Sequence, residues 1–141
     1  MKQKKSQVSV EYFIIFGTLL VFLVSTVSYF MQTVPEEIRV KQATDVVNKI
    51  SKVADTVYVV GPGTERFIYV YVPSGVQSIT FANFPDSVGG EISLSLSYEG
   101  RTIELIAITK GNIMGHIDTG KTLYKLHIQT TEERIVNITS I

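Results

Sequence analysis

Residues 12–35 read YFIIFGTLLVFLVSTVSYFMQTVP, 24 positions without a charged side chain, bounded by Glu11 and Glu36. At ~1.5 Å of rise per residue, a helix over this run is ~36 Å long. That is enough to cross a hydrocarbon layer of ~30 Å. A helix buried in a soluble core is the alternative, but helices of globular proteins average ~10–14 residues. The flank ahead reads Met-Lys-Gln-Lys-Lys-Ser and carries Lys2, Lys4 and Lys5. Positive charge at one end of an apolar helix marks the cytoplasmic side. The far end of the helix and the rest of the chain are expected outside the cell.

The whole chain has 141 residues, 13 basic and 13 acidic, hence a formal net charge of zero. A neutral chain has no general attraction for nucleic acid. With no cysteine, disulfide scaffolds, thiolate zinc sites and thiol catalysis are excluded. Only 18% of residues are charged and mean hydropathy is +0.22, too apolar for a disordered chain. Without its first six residues the chain keeps 10 basic and 13 acidic residues. The basic end is therefore a targeting device distinct from the body.

Beyond Pro35 the helical pattern resumes. Ala43, Val47, Ile50, Ala54 and Val57 recur at spacings of four and three, with Val46 and Val53 beside them. This is one apolar stripe on a helix. Glu37 with Lys41 and Asp45 with Lys49 are i, i+4 pairs in the favourable order. Proline removes a backbone donor and crowds the preceding turn, so a kink or break is expected near residues 33–36. Gly61, Pro62 and Gly63 end the segment. From Glu65 onward the chain alternates as strands do: FIYVYV, VQSITFA, EISLSLSY, RTIELIAI, TLYKLHIQT and RIVNITSI, separated by turn signals. In EISLSLSY the serines are expected on a wet face. The predicted fold class is α+β. A long N-terminal helix over 7–60, with 12–34 its apolar membrane or filament-core part, precedes a small antiparallel β-sandwich or sheet head over 61–141.

The junction KKSQVSVEYF carries the functional signal. A carboxylate entering a membrane costs about 2.5–3.5 kcal/mol unless paired, and Glu11 stands at the start of the apolar helix. A secretory signal places its apolar region before the cut, whereas a small-residue cut at Ser6 precedes it here. Cleavage between Ser6 and Gln7 would remove the lysines and create an α-amino group on Gln7. Residues 7 and 11 lie one helical turn apart, so that ammonium can pair with Glu11 of its own or a neighbouring chain, offsetting desolvation.

Lys4-Lys5-Ser6 followed by Gln7-x-Ser9-x-Glu11-Tyr12-Phe13 resembles the class III signal peptide of archaeal type IV pilins, although Gly is commoner in that family where Ser6 stands. The resemblance spans about ten residues. It implies a precursor cleaved after Ser6 by a prepilin peptidase, with Lys4, Lys5, Ser6 and Gln7 as processing residues and Gln7, Ser9 and Glu11 as assembly residues. It also implies a membrane platform protein, an assembly ATPase, and an extracellular filament of packed N-terminal helices with outward β-rich heads serving adhesion. The residues support helix packing independently. Phe13, Phe16 and Phe22 supply area, while Gly17, Thr18 and Ser25 permit close approach. Rival readings are an uncleaved single-pass anchor whose β-domain binds a ligand or partner, a minor or pseudopilin-like subunit, and a secreted protein cut near Thr26-Val-Ser28.

Other signals are weaker. Gly115-His-Ile-Asp-Thr-Gly-Lys121-Thr122 matches the phosphate-loop pattern, which needs a helix after it; LYKLHIQT alternates as a strand instead. His116 and His127 are expected to face solvent, with no metal, cofactor or small-molecule substrate. No spacing suggests a catalytic set, so no enzyme is expected. Asn137-Ile-Thr139 is an N-glycosylation sequon, expected on the exposed side of a terminal strand.

Overall fold

The computed structural model describes the backbone of residues 3–141 and the side chains of residues 10–31 and 36–141. The fold is α+β. One helix, α1 (Gln3–Val60), is followed by seven strands: β1 (Glu65–Tyr71), β2 (Val76–Asn83), β3 (Gly90–Tyr98), β4 (Arg101–Thr109), β5 (Ile113–His116), β6 (Leu123–Thr130) and β7 (Val136–Ser140). Two compact units divide between Glu37 and Ile38. Helix α1 is assigned without interruption through Pro35, so the expected break is absent. Proline deletes a single backbone donor, and bonds on either side of that position can sustain the helix.

The second unit holds the core. Ala43, Val47, Ile50, Ala54 and Val57 are all at most 2% exposed, so the apolar stripe read from the sequence is the helix face that enters the core. The helix ends at Gly61, whose φ of +107° suits glycine and whose amide donates to Val57 O at 3.1 Å.

The strands form two sheets, β1-β6-β7-β5 and β2-β3-β4. All pairings are antiparallel except β5 with β7. Ile92, Leu94 and Leu96 of β3 face Leu126, Ile128, Val136 and Ile138 within one core cluster. The serine face of β3 is less wet than its alternation implies. Ser93 is buried, its hydroxyl 2.6 Å from that of Thr80, because β3 is the middle strand and neighbours flank it on both sides.

Each sheet leaves one edge toward the helix, β1 in the first and β4 in the second. Helix α1 serves both. Lys49 Nζ donates to Tyr69 O of β1, and Ser51 Oγ donates to Ile108 O of β4, each at 2.8 Å. One turn on from Ser51, Asp55 Oδ1 accepts the Lys110 amide at 2.7 Å. Neither expected ion pair, Glu37–Lys41 or Asp45–Lys49, is made among the described residues; the unpaired carbonyl of an edge strand draws Lys49 instead. On the opposite side β2 lies against β5. There Asn83 Oδ1 accepts the Ile113 amide at 2.7 Å and Asn112 Oδ1 the Gly89 amide at 3.0 Å.

Gly111 marks the tightest contact of helix and sheet: a Cβ there would lie 2.2 Å from the Tyr58 ring. Gly111→Ala should therefore destabilise the second unit by about 1–3 kcal/mol through overpacking. Val59→Ala, at a position 66% exposed, should change stability by no more than about 0.5 kcal/mol. Urea unfolding of the detergent-solubilised chain, followed by tyrosine circular dichroism, measures both.

Candidate functional site

In the first unit the side chains of residues 10–31 are almost uniformly exposed. Phe13 is 79% exposed, Phe16 62% and Phe22 73%. The apolar window of α1 has mean hydropathy 2.2 and none of it is buried, so the helix is long and apolar enough to cross a membrane. Glu11 is exposed at its start. Three hydroxyls within the run need no outside partner. Thr18 donates to Ile14 O, Ser25 to Val21 O and Thr26 to Phe22 O, each at 2.9 Å. Hydroxyls bonded to their own helix lower the cost of an apolar surrounding. A Cβ at Gly17 would meet nothing within 4 Å, which leaves its face open to close approach.

Residues 7, 9 and 11 all lie on the backbone of helix α1. The side chains of Lys4, Lys5, Ser6, Gln7 and Ser9 lie outside the described residues, as does Lys2 altogether. Their expected processing and assembly roles therefore stand on the sequence.

The phosphate-loop lookalike falls in β5 and the loop before β6, a strand rather than a helix following it. Two of its amides are already taken. Gly120 N and Lys121 N both donate to Tyr124 Oη at 2.8 Å. Lys121 is exposed. The loop faces the turn between β1 and β2 across a cleft of about 270 Å³, lined by Ser74, Thr119, Lys121, Thr122 and Tyr124 among others.

The histidines differ from each other, and only His116 lies as expected. His116 faces solvent, its side chain 81% exposed and 2.8 Å from Asp118. His127 does not: its side chain is only 20% exposed. It stacks on Phe67 at 4.5 Å and 10°, and its Nε2 lies 2.8 Å from Glu65 Oε2. The cause is register, since Phe67 and His127 are directly opposite on β1 and β6, where side chains of an antiparallel pair meet. Lys125 Nζ sits 5.0 Å over the same ring. Among the described residues no group of three or more His, Asp or Glu is placed to hold a metal ion.

Asn137 is half-buried on β7, between β6 and β5 and opposite Gln129 and Met114. The sequon thus lies on the C-terminal strand, as expected, and that strand is interior to its sheet. A glycan there would project from backbone paired on both sides.

Tyr124 and the Glu65–His127–Phe67 cluster were not singled out by sequence reasoning. The second depends on pairing register, which no local motif encodes. For Tyr124, a tyrosine at an inward-facing position beside a Gly-Lys turn was the available signal.

No family model matches the chain, and comparison with the curated proteins and with the solved structures finds no match.

The exposed apolar run generates a direct expectation. Expressed in cells, the chain should remain in the membrane pellet after an alkaline carbonate wash. Replacing Leu19, Leu20 and Val21 together by lysine adds about 2.5–3.5 kcal/mol of insertion cost per residue and should move most of it to the supernatant. Fractionation and immunoblotting check both.

Proposed function

We propose that the chain is the precursor of a structural subunit of an extracellular type IV pilus-like filament. A prepilin peptidase cuts it between Ser6 and Gln7, and the N-terminal helices pack into the filament core. Before assembly the helix lies in the cell membrane, residues 1–6 in the cytoplasm and the second unit outside. A membrane platform and an assembly ATPase then raise it into the filament, whose heads serve adhesion.

One observation carries this reading: a fully exposed, uncharged apolar helix with Glu11 at its head. Exposed apolar area of this extent needs a covering. Burying each large side chain contributes roughly 1.5–3 kcal/mol, much of it offset by the cost of ordering. A lipid bilayer covers such a helix, and so does a bundle of copies. The carboxylate discriminates between the two. In lipid an unpaired Glu11 is a cost; in a bundle of cleaved chains each Glu11 meets an α-ammonium. The β-rich unit supports an exterior role because its core is complete without the apolar helix segment.

N-terminal sequencing of native material should give a chain that starts at Gln7. A start at Met1 would favour an uncleaved anchor, and a start near Tyr29 plain secretion. Glu11→Ala should leave cleavage intact while lowering filament yield about tenfold or more, the factor that 1.4 kcal/mol represents. Electron microscopy of shed filaments measures the yield, and unchanged yield would count against the pairing.

A further inference from the structure

The cleft between the β1–β2 turn and the loop before β6 has an uneven stock of hydrogen-bonding groups. Tyr124 is 4% exposed and lines the cleft. Its phenolic oxygen accepts the amides of Gly120 and Lys121, so its own proton must point elsewhere, and no acceptor takes it among the described residues. Around it, Ser74, Lys121 and Thr122 are exposed, and none of their side chains is bonded to a described residue. A buried donor without an acceptor is costly. An ammonium and a phenolic proton, flanked by hydroxyls that can turn to donate, suit a monoanionic oxygen acceptor, a carboxylate.

The unit carries such a group at its other end. The cleft lies at the start of β6, and Glu132 and Glu133 lie just beyond its end. Eight residues of strand at ~3.4 Å each set the two features roughly 27 Å apart. Glu132 and Glu133 form the exposed tip of the turn into β7, pinned by Arg134 N donating to Thr131 O at 3.0 Å and Thr131 N to Ile135 O at 2.9 Å. Neither carboxylate is bonded to a described residue.

The geometry points to a head-to-tail contact between copies of this chain, in which the Glu132–Glu133 turn of one copy seats its carboxylate in the Lys121–Tyr124 cleft of the next. Donors at one end and acceptors at the other make the contact heterologous, and a heterologous contact that does not close propagates as an open filament. The inference rests on the filament reading above and names the head contact within it.

The cysteine-free chain provides a clean background for the test. Thr122→Cys and Glu133→Cys are introduced together, leaving Lys121 and Glu132 in place, and the chain is assembled by its own peptidase and platform. Filaments are counted by electron microscopy, oxidised, and run on a non-reducing gel. A disulfide requires Cα atoms within about 7 Å. The double variant should give a ladder of covalent multimers at least about tenfold more abundant than either single variant gives, a ratio worth 1.4 kcal/mol in contact preference. Lys121→Glu should suppress the ladder, and Glu132→Lys should restore it in that background. Filaments without a ladder, single variants that cross-link equally well, or a ladder indifferent to Lys121→Glu would each overturn the contact while leaving the filament reading intact. An absent ladder with Lys121 resonances that shift on adding acetate would assign the cleft to a carboxylate from another molecule, and so overturn the contact too. Absence of any filament overturns both readings.

Discussion

Two sheets that pack face to face leave four edges, and an unpaired edge is a row of amides and carbonyls seeking partners. In this protein the amphipathic half of α1 resolves that problem for two edges at once. Lys49 and Ser51 project from different sides of the helix and reach β1 and β4 respectively. Between them the stripe from Ala43 to Val57 supplies the apolar contact that holds the helix in the gap. Asn83 and Asn112 stitch the opposite side with side-chain carbonyls. The unit is thus a ring of staves, seven of strand and one of helix. The close approach of Gly111 to Tyr58 is a result of that arrangement.

The same helix carries a segment of different character. Residues 10–31 present apolar side chains all round, whereas residues 43–57 present them on one face only. A helix apolar on every side belongs in lipid or among other helices. The hydroxyls of Thr18, Ser25 and Thr26 add no obstacle, since each is bonded within its own turn. Glu11 is the exception to this apolar pattern. The proposed function turns on what that carboxylate meets once Gln7 becomes an N-terminus.

Much of the fold was legible from periodicity. The stripe at four- and three-residue spacing became the buried face of α1, and six alternating runs became six strands. The seventh, β5, escaped notice because it has four residues, contains Gly115 and pairs in parallel with a strand further along the chain. His127 and the buried Ser93 depart from expectation for a related reason. Whether a strand residue is covered depends on which strand lies beside it, and local sequence does not fix strand order. His127 is covered by Phe67 only because β1 pairs with β6. Of the candidate assembly residues, Glu11 and the positions Phe13, Phe16, Gly17, Thr18, Phe22 and Ser25 are exposed. The donor-lined cleft was not legible, because it needs two turns distant in sequence to face one another.

Strand order also bears on how the chain is made. In the sheet β1-β6-β7-β5, the last strand in sequence is an interior one. It arrives between partners that have waited for it, and β5 has no other neighbour in its sheet until then. A nascent chain emerging in order can dock α1 and pair β2 to β4 early. The larger sheet stays split until residues 136–140 leave the ribosome, so its closure is a late, long-range step with the slow kinetics that distant pairings entail. During that interval the unzipped borders of β5 and β6 are open to a neighbouring nascent chain, and a chaperone that shields them would act at this stage of biogenesis.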